Sequence, residues 1–360
     1  MQNGISLYPG LDNSPEENLA LLETAASLGI TRLFTSLQVP EADPVRLKKE
    51  CVTLLKAARA HHMEIISDVS PRTLEVLGIP KGRLSPFKML GIGTLRLDYG
   101  FGLEEIARLS HNPQHIRLQL NASTMTGHML QQLIELKCDF SQIDALHNFY
   151  PRPHTGLSVP TLARKTAMLH KAGIRVGAFV TTQQGKKRGP LGLGLPTLED
   201  HRGFSVSLAA RHLVALGIDS VFLADSLPSE AEIAALAHLK GSEVVLEAEL
   251  LAHGESAQQL LHQTFTARID EARDAIRAQE SRTLLTAPIA PENTSARPAG
   301  SVTIDSERGG RYQGELEIIK NDLPADARVN VAARILPADQ FLIPYIQPGR
   351  KFSFQFLGEK

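Results

Sequence analysis

Short apolar runs alternate with stretches whose apolar residues recur every three or four positions, and this alternation persists over most of the chain. The first run, Ile5–Tyr8, reads as a strand. Ser14-Pro15-Glu16-Glu17 then opens a helix with a Ser N-cap, a Pro at the first helical position and a Glu at the third. Leu19, Leu22 and Ala26 share one face of that helix, and Gly29 stops it. The unit repeats. Strands are predicted at Arg32–Leu37, Glu64–Val69, Thr94–Tyr99, His115–Leu120, Phe140–His147, Arg175–Thr181 and Ser220–Ala224. Helices are predicted from Asp43-Pro44, at Ser70-Pro71, around Leu103–Leu109, from Thr124 to Leu136 and from Ser158 to Ala172. A further helix is predicted from the capping-box pattern Thr197-Leu198-Glu199-Asp200, and another from Ser229 to about Leu239. Eight β-α units within residues 1–240 fit a TIM-like (β/α)8 barrel. A doubly wound open sheet fits less well, because Gly10-Leu11-Asp12-Asn13 after the first strand offers no G-x-G-x-x-G.

Beyond Gly241 the texture changes. Glu243–Leu251 reads as a strand and Ser256–Ile276 as helical, with Leu260, Leu261, Phe265, Ile269 and Ile276 at helical spacing. Residues 286–300 are rich in Pro, Ala, Ser and Thr. The β-type segments Ser301–Ile304, Gly314–Ile319, Val329–Ile335 and Lys351–Phe356 follow. Residues 243–360 thus read as a smaller, mostly β second domain.

In a barrel of this kind, function gathers where the strands end. Those positions supply acids: Glu41 after the second strand, Asp68 ending the third and Asp98 ending the fourth. A pair of carboxyl groups on either side of a sugar ring is what glycoside hydrolysis requires, and a like-charged neighbour raises the pKa of the one that must stay protonated. The other rim positions hold Asn121, then His147, Asn148, Tyr150 and Arg152, then Arg188, Glu199 and Arg202, and finally Asp225. Asp225 and Ser229 equally suit helix caps, and Tyr150-Pro151 suits a plain turn. Arg152, Arg188 and Arg202 fall on the loops after the sixth and seventh strands, the quarter of a barrel where phosphate is often held. A Schiff-base lysine is missing from the sixth and seventh strands, and no His-x-His closes a strand, so neither imine chemistry nor a metal is expected.

Composition adds exclusions. Charged residues are 21% of 360, and the formal net charge is −1, so neither nucleic acid nor an anionic membrane is an expected partner. Two cysteines, Cys51 and Cys138, rule out a disulfide framework. No apolar run approaches ~20 residues. The start MQNGISLYPG lacks the marks of a secretory leader, so a cytoplasmic location is expected.

Taken together, GISLYPG, TRLFTSLQVPE, DVSP, LRLDYG, LNAST, HNFYPRPHTGL, KRGPLGLGLPTLEDHR, TIDSERGGRYQGELEI and VNVAARI resemble the 6-phospho-N-acetylmuramidase family, in order and over nearly the whole chain. Many members of that family carry the label outer surface protein. The resemblance implies a TIM-like barrel followed by a cyclophilin-like domain. It also implies a cytoplasmic glycosidase of cell-wall recycling that needs no cofactor and splits MurNAc 6-phosphate–GlcNAc, a phosphorylated amino-sugar disaccharide. It leaves Asp68, Asp98 and Glu41 together as catalytic candidates, and hydrolysis assisted by the substrate's own acetamido group stays open. Where the family pattern has Asn before the Glu of the TID segment, this chain has Ser306. In Glu307–Tyr312, Arg311 or Tyr312 is expected to reach substrate from a turn between two β runs, although the same residues also suit a solvated hairpin. A phosphosugar isomerase or lyase on the same barrel, and a carbohydrate-binding protein without turnover, are the competing readings.

Overall fold

The computed structural model describes residues 1–37, 44–76, 78–80 and 82–358. The chain divides into two compact units, residues 1–213 with 217–241, and residues 214–216 with 242–360.

In the first unit, strands β1 (Gly4–Leu7), β2 (Arg32–Ser36), β3 (Glu64–Val69), β4 (Thr94–Leu97), β5 (Arg117–Asn121), β6 (Ile143–Leu146), β7 (Val176–Val180) and β8 (Ser220–Leu223) pair in parallel and close into a barrel, β1 against β8. Around it lie α1 (Pro15–Ser27), α2 (Pro44–Ala60), α3 (Pro71–Val76), α4 (Ser85–Met89), α5 (Leu103–Ser110), α6 (Gly127–Glu135), α7 (Val159–Lys171), α8 (Val206–Ala215) and α9 (Glu230–Ala237). Capping boxes open two of these helices: Ser14 and Glu17 close the start of α1, Ser229 and Glu232 the start of α9. The pattern at Thr197 does not open a helix. Residues Glu199–Gly203 form a 3₁₀ turn and α8 starts only at Val206, because the Thr197 hydroxyl and the Glu199 carboxylate bond to other loops instead.

Successive strand residues alternate between barrel interior and helix layer. Tyr8, Phe34, Ile66, Leu146, Phe179 and Phe222 form an apolar plug in the interior. Gly4 is required there, since a Cβ would lie 2.3 Å from the Phe222 ring. One end of the interior is polar: Arg32 donates to Asp144 and Glu64, Thr94 to Glu64 and Gln119 to Asp144. Buried charges of this kind persist only when paired.

The second unit is built on a seven-stranded sheet in the order β10-β15-β9-β14-β12-β13-β11, from β9 (Glu243–Leu250), β10 (Phe265–Thr266), β11 (Ala275–Arg277), β12 (Ser301–Asp305), β13 (Leu316–Ile319), β14 (Val329–Ile335) and β15 (Lys351–Phe356). Short helices α10 (Glu255–Leu261) and α11 (Ser281–Leu284) complete it. The helix expected over 256–276 ends at Leu261. Phe265 pairs with Phe352, and Ile276 with Ile318, so cross-strand burial overrides the helical spacing. Among the described residues, no helix is long and apolar enough to cross a membrane.

Candidate active site

Register places the acids. Asp68 on β3 sits opposite Arg96 on β4, and Asp98 follows Arg96 by two residues, so all three point to the same side of the barrel wall. Arg96 is buried. Its Nη1 donates to Asp68 Oδ1 at 2.7 Å and to Asp98 Oδ1 at 3.0 Å, and its Nη2 donates to Asn148 Oδ1. Asn121, at the end of β5, donates from its amide to Asp98 Oδ1 at 3.3 Å. A cavity of about 200 Å³ opens on this cluster, with Asp68, Arg96, Asp98 and Asn148 on one side and Phe34, Phe149 and Phe179 on the other. The three rings meet edge to face.

Two carboxylates share one guanidinium here. Burial pushes the Asp68 carboxyl above its ordinary value, and the Asp98 charge adds to the rise, while Arg96 opposes it.

Across the mouth, the Arg188 guanidinium lies 4.6 Å from the Tyr8 ring centre and 5.1 Å from that of Phe149. Its Nε donates to the Gly189 carbonyl, and its two Nη groups have no hydrogen-bond partner among the described residues. Tyr8 donates to the Ala224 carbonyl at 2.8 Å, and burial pushes its phenol up to about 12. Asp12 holds the Arg188 loop by accepting from the Gly189 amide and from the Ser226 hydroxyl.

Several rim residues turn out to be spent within the fold. Arg202 donates to both oxygens of Glu199 and to the carbonyls of Tyr150, Leu193 and Gly194. Glu199 also accepts the His154 and Gly156 amides, and this donor set, Arg202 foremost, holds it down to about 2. The pair therefore clasps the loops after β6 and β7, and Arg202 offers no free fork to a phosphate. Tyr150 is half-buried and bonded through its backbone to Pro196. Asp225 is buried and accepts from the Thr181 hydroxyl and from the amides of Thr182 and Arg188, so it sets the path of the Arg188 loop and does not face the cavity. His147 is buried between the hydroxyls of Ser123 and Thr166. Arg152 is exposed. Glu41 lies outside the described residues. In the second unit, Glu307–Tyr312 is a 3₁₀ segment and not a two-residue hairpin turn. There Arg311 donates to the Tyr312 hydroxyl at 2.7 Å and lies 4.9 Å from its ring centre.

Arg96, Tyr8 and the phenylalanine wall were not among the expected site residues. The signal for Arg96 was present in LRLD: a cation two residues before a rim acid, inside an otherwise apolar strand, has to be paired inward. Among the described residues, no group of three or more His, Cys, Asp or Glu side chains is arranged to hold a metal.

Burial holds His147 and His201 down to about 3 and His212 to about 4, the last two sharing a 2.9 Å hydrogen bond. The unfolded chain takes up protons on these histidines below about pH 6.5, whereas the native state does not, so stability falls as pH drops. At pH 5 each should cost about 2 kcal/mol, less than additively for the bonded pair. The urea midpoint should therefore fall between pH 7 and pH 5, and fall less in a His201→Gln, His212→Gln double variant. Equal falls in both proteins would contradict this.

Comparison with known proteins agrees with the architecture. Residues 3–238 match the family model described as 6-phospho-N-acetylmuramidase, N-terminal, and residues 244–355 match its C-terminal counterpart. A solved structure described as an uncharacterized B. cereus protein is 30% identical, with a TM-score of 0.84 over 98% of this chain and 99% of that one. Another, a conserved protein of unknown function from a locus in Enterococcus faecalis, is 35% identical, with a TM-score of 0.69 over 99% of this chain and 97% of that one. No curated protein matches the chain.

Proposed function

Because the chain belongs to the 6-phospho-N-acetylmuramidase family, we propose that it hydrolyses the glycosidic bond of MurNAc 6-phosphate–GlcNAc in the cytoplasmic recycling of cell wall, with Asp68 and Asp98 as its catalytic carboxyls. The observation that carries this reading is the sharing of one Arg96 nitrogen by the two acids beside a cavity. Asp68, whose pKa burial raises, is the general acid that protonates the leaving oxygen. Asp98, more open to solvent and oriented by Asn121, is the carboxylate that faces the sugar's developing positive charge. Two oxygens bound to one nitrogen lie closer than the ~6.5–9.5 Å that an inverting pair needs to admit water. This favours a retaining or acetamido-assisted course. Glu41 stays a candidate for the same chemistry on the strength of its sequence position. No cofactor is called for.

Arg188 is the proposed phosphate ligand. Stacking on Tyr8 and Phe149 occupies the guanidinium face and leaves its in-plane N–H edge for a bidentate contact. Arg152 is the second candidate on the same rim. In the second unit, Arg311 and Tyr312 present a cation and a phenol side by side. Arg188→Ala should lower kcat/KM for the phosphorylated disaccharide by roughly ten- to a hundredfold and leave the unphosphorylated analogue nearly unchanged. Arg188→Lys should rescue only in part. If Arg188→Ala leaves the preference for phosphate intact, the phosphate is held elsewhere.

A further inference from the structure

Arginine can only donate hydrogen bonds, so the Asn148 side-chain atom that meets Arg96 Nη2 must be the oxygen. The Asn148 amide is thereby locked with its NH₂ turned away from Arg96. That NH₂ has no partner among the described residues, and Asn148 borders the cavity. Its backbone is fixed as well: the amide N–H donates to Ser123 Oγ and the carbonyl accepts from Thr197. The cavity therefore presents an oriented donor, carboxylate acceptors on Asp68 and Asp98, and an apolar wall from Phe34, Phe149 and Phe179.

We propose that this cavity receives the 2-acetamido group of the phosphorylated sugar, with Asn148 Nδ2 donating to its carbonyl oxygen and the acetyl methyl lying against the phenylalanine wall. Three features of the site select this group. A neutral carbonyl fits beside Asp68 and Asp98, whereas a ligand carboxylate, such as the lactyl group, would meet like charge. The amide N–H of the same group finds an acceptor in either acid. The methyl finds apolar surface, which a hydroxyl or an ammonium at that carbon would leave unmatched. Asn148 is then a specificity-determining residue and Arg96 its positioning residue. The inference rests on the glycosidase reading for the identity of the sugar, and on the geometry alone for the group recognised.

The test is Asn148→Asp, which keeps the shape and the oxygen facing Arg96 but replaces the donor with an acceptor. Wild type and variant are compared on the phosphorylated disaccharide and on its counterpart with a free 2-amino group on the phosphorylated sugar. The variant should lose about ten- to a hundredfold in kcat/KM on the acetamido substrate. It should lose far less, or gain, on the ammonium substrate, so the preference ratio shifts by more than tenfold. Equal losses on the two substrates would overturn the proposal, as would a loss that disappears when the lactyl ether is absent from the substrate. Calorimetric binding of 6-phospho-N-acetylmuramic acid and its 2-amino counterpart to the same two proteins gives the ratio without turnover. A wild type that binds with the expected ratio but does not cleave would sink the glycosidase reading and leave this assignment standing.

Discussion

Asp68→Asn and Asp98→Asn are each expected to reduce kcat by ~10²- to 10⁴-fold while leaving the fold intact, since Asn keeps the shape and removes the titrating group. The two variants should differ in pH response. Burial raises the Asp68 carboxyl, and the proposed reaction uses its protonated form, so wild-type kcat should fall as pH rises through that shifted value. In Asp68→Asn the residual rate should lose this alkaline limb. In Asp98→Asn the limb should persist but move to lower pH, because removing the neighbouring negative charge makes Asp68 easier to ionise. Near-normal kcat in both variants would remove these acids from the mechanism and shift attention to Glu41.

The second large effect concerns stability. Arg96→Met should destabilise the protein by about 3–5 kcal/mol at neutral pH, because it strands two carboxylates that share its charge. The deficit should shrink as pH falls, since protonation then neutralises the stranded acids in the native state. The triple variant Arg96→Met, Asp68→Asn, Asp98→Asn should regain much of the lost stability yet stay inactive. Urea midpoints at two pH values measure both effects. An Arg96→Met protein as stable as wild type would show that the cluster is solvated and that Asp68 is not forced toward its protonated form.

Much of the barrel is legible in the sequence because its signals are local. Ser14 with Glu17 and Ser229 with Glu232 are complete caps within four residues, and Glu64–Val69 carries a continuous strand pattern between a helix and Pro71. Asp68 and Asp98 are visible as polar residues closing apolar strands. What escapes local reading depends on partners far along the chain. Thr197 and Glu199 form a capping pattern on paper, but Asn148, His154 and Gly156 claim their oxygens across more than forty residues. Arg202 reads as a free rim cation, yet it is consumed by Glu199 and by backbone carbonyls. Arg96 reads as a misfit within a strand until the β3–β4 register sets it against Asp68. The rim acids are thus visible as positions, whereas which rim arginine keeps its Nη groups unpaired among the described residues is a property of loop packing.

The most direct measurement incubates the purified wild-type protein with MurNAc 6-phosphate–GlcNAc and follows the products by mass spectrometry. Equimolar MurNAc 6-phosphate and free GlcNAc, their summed mass exceeding that of the disaccharide by one water, are the expected result, with the unphosphorylated disaccharide cleaved far more slowly. Binding without any change in mass, or conversion to an isomer of unchanged mass, would contradict the account.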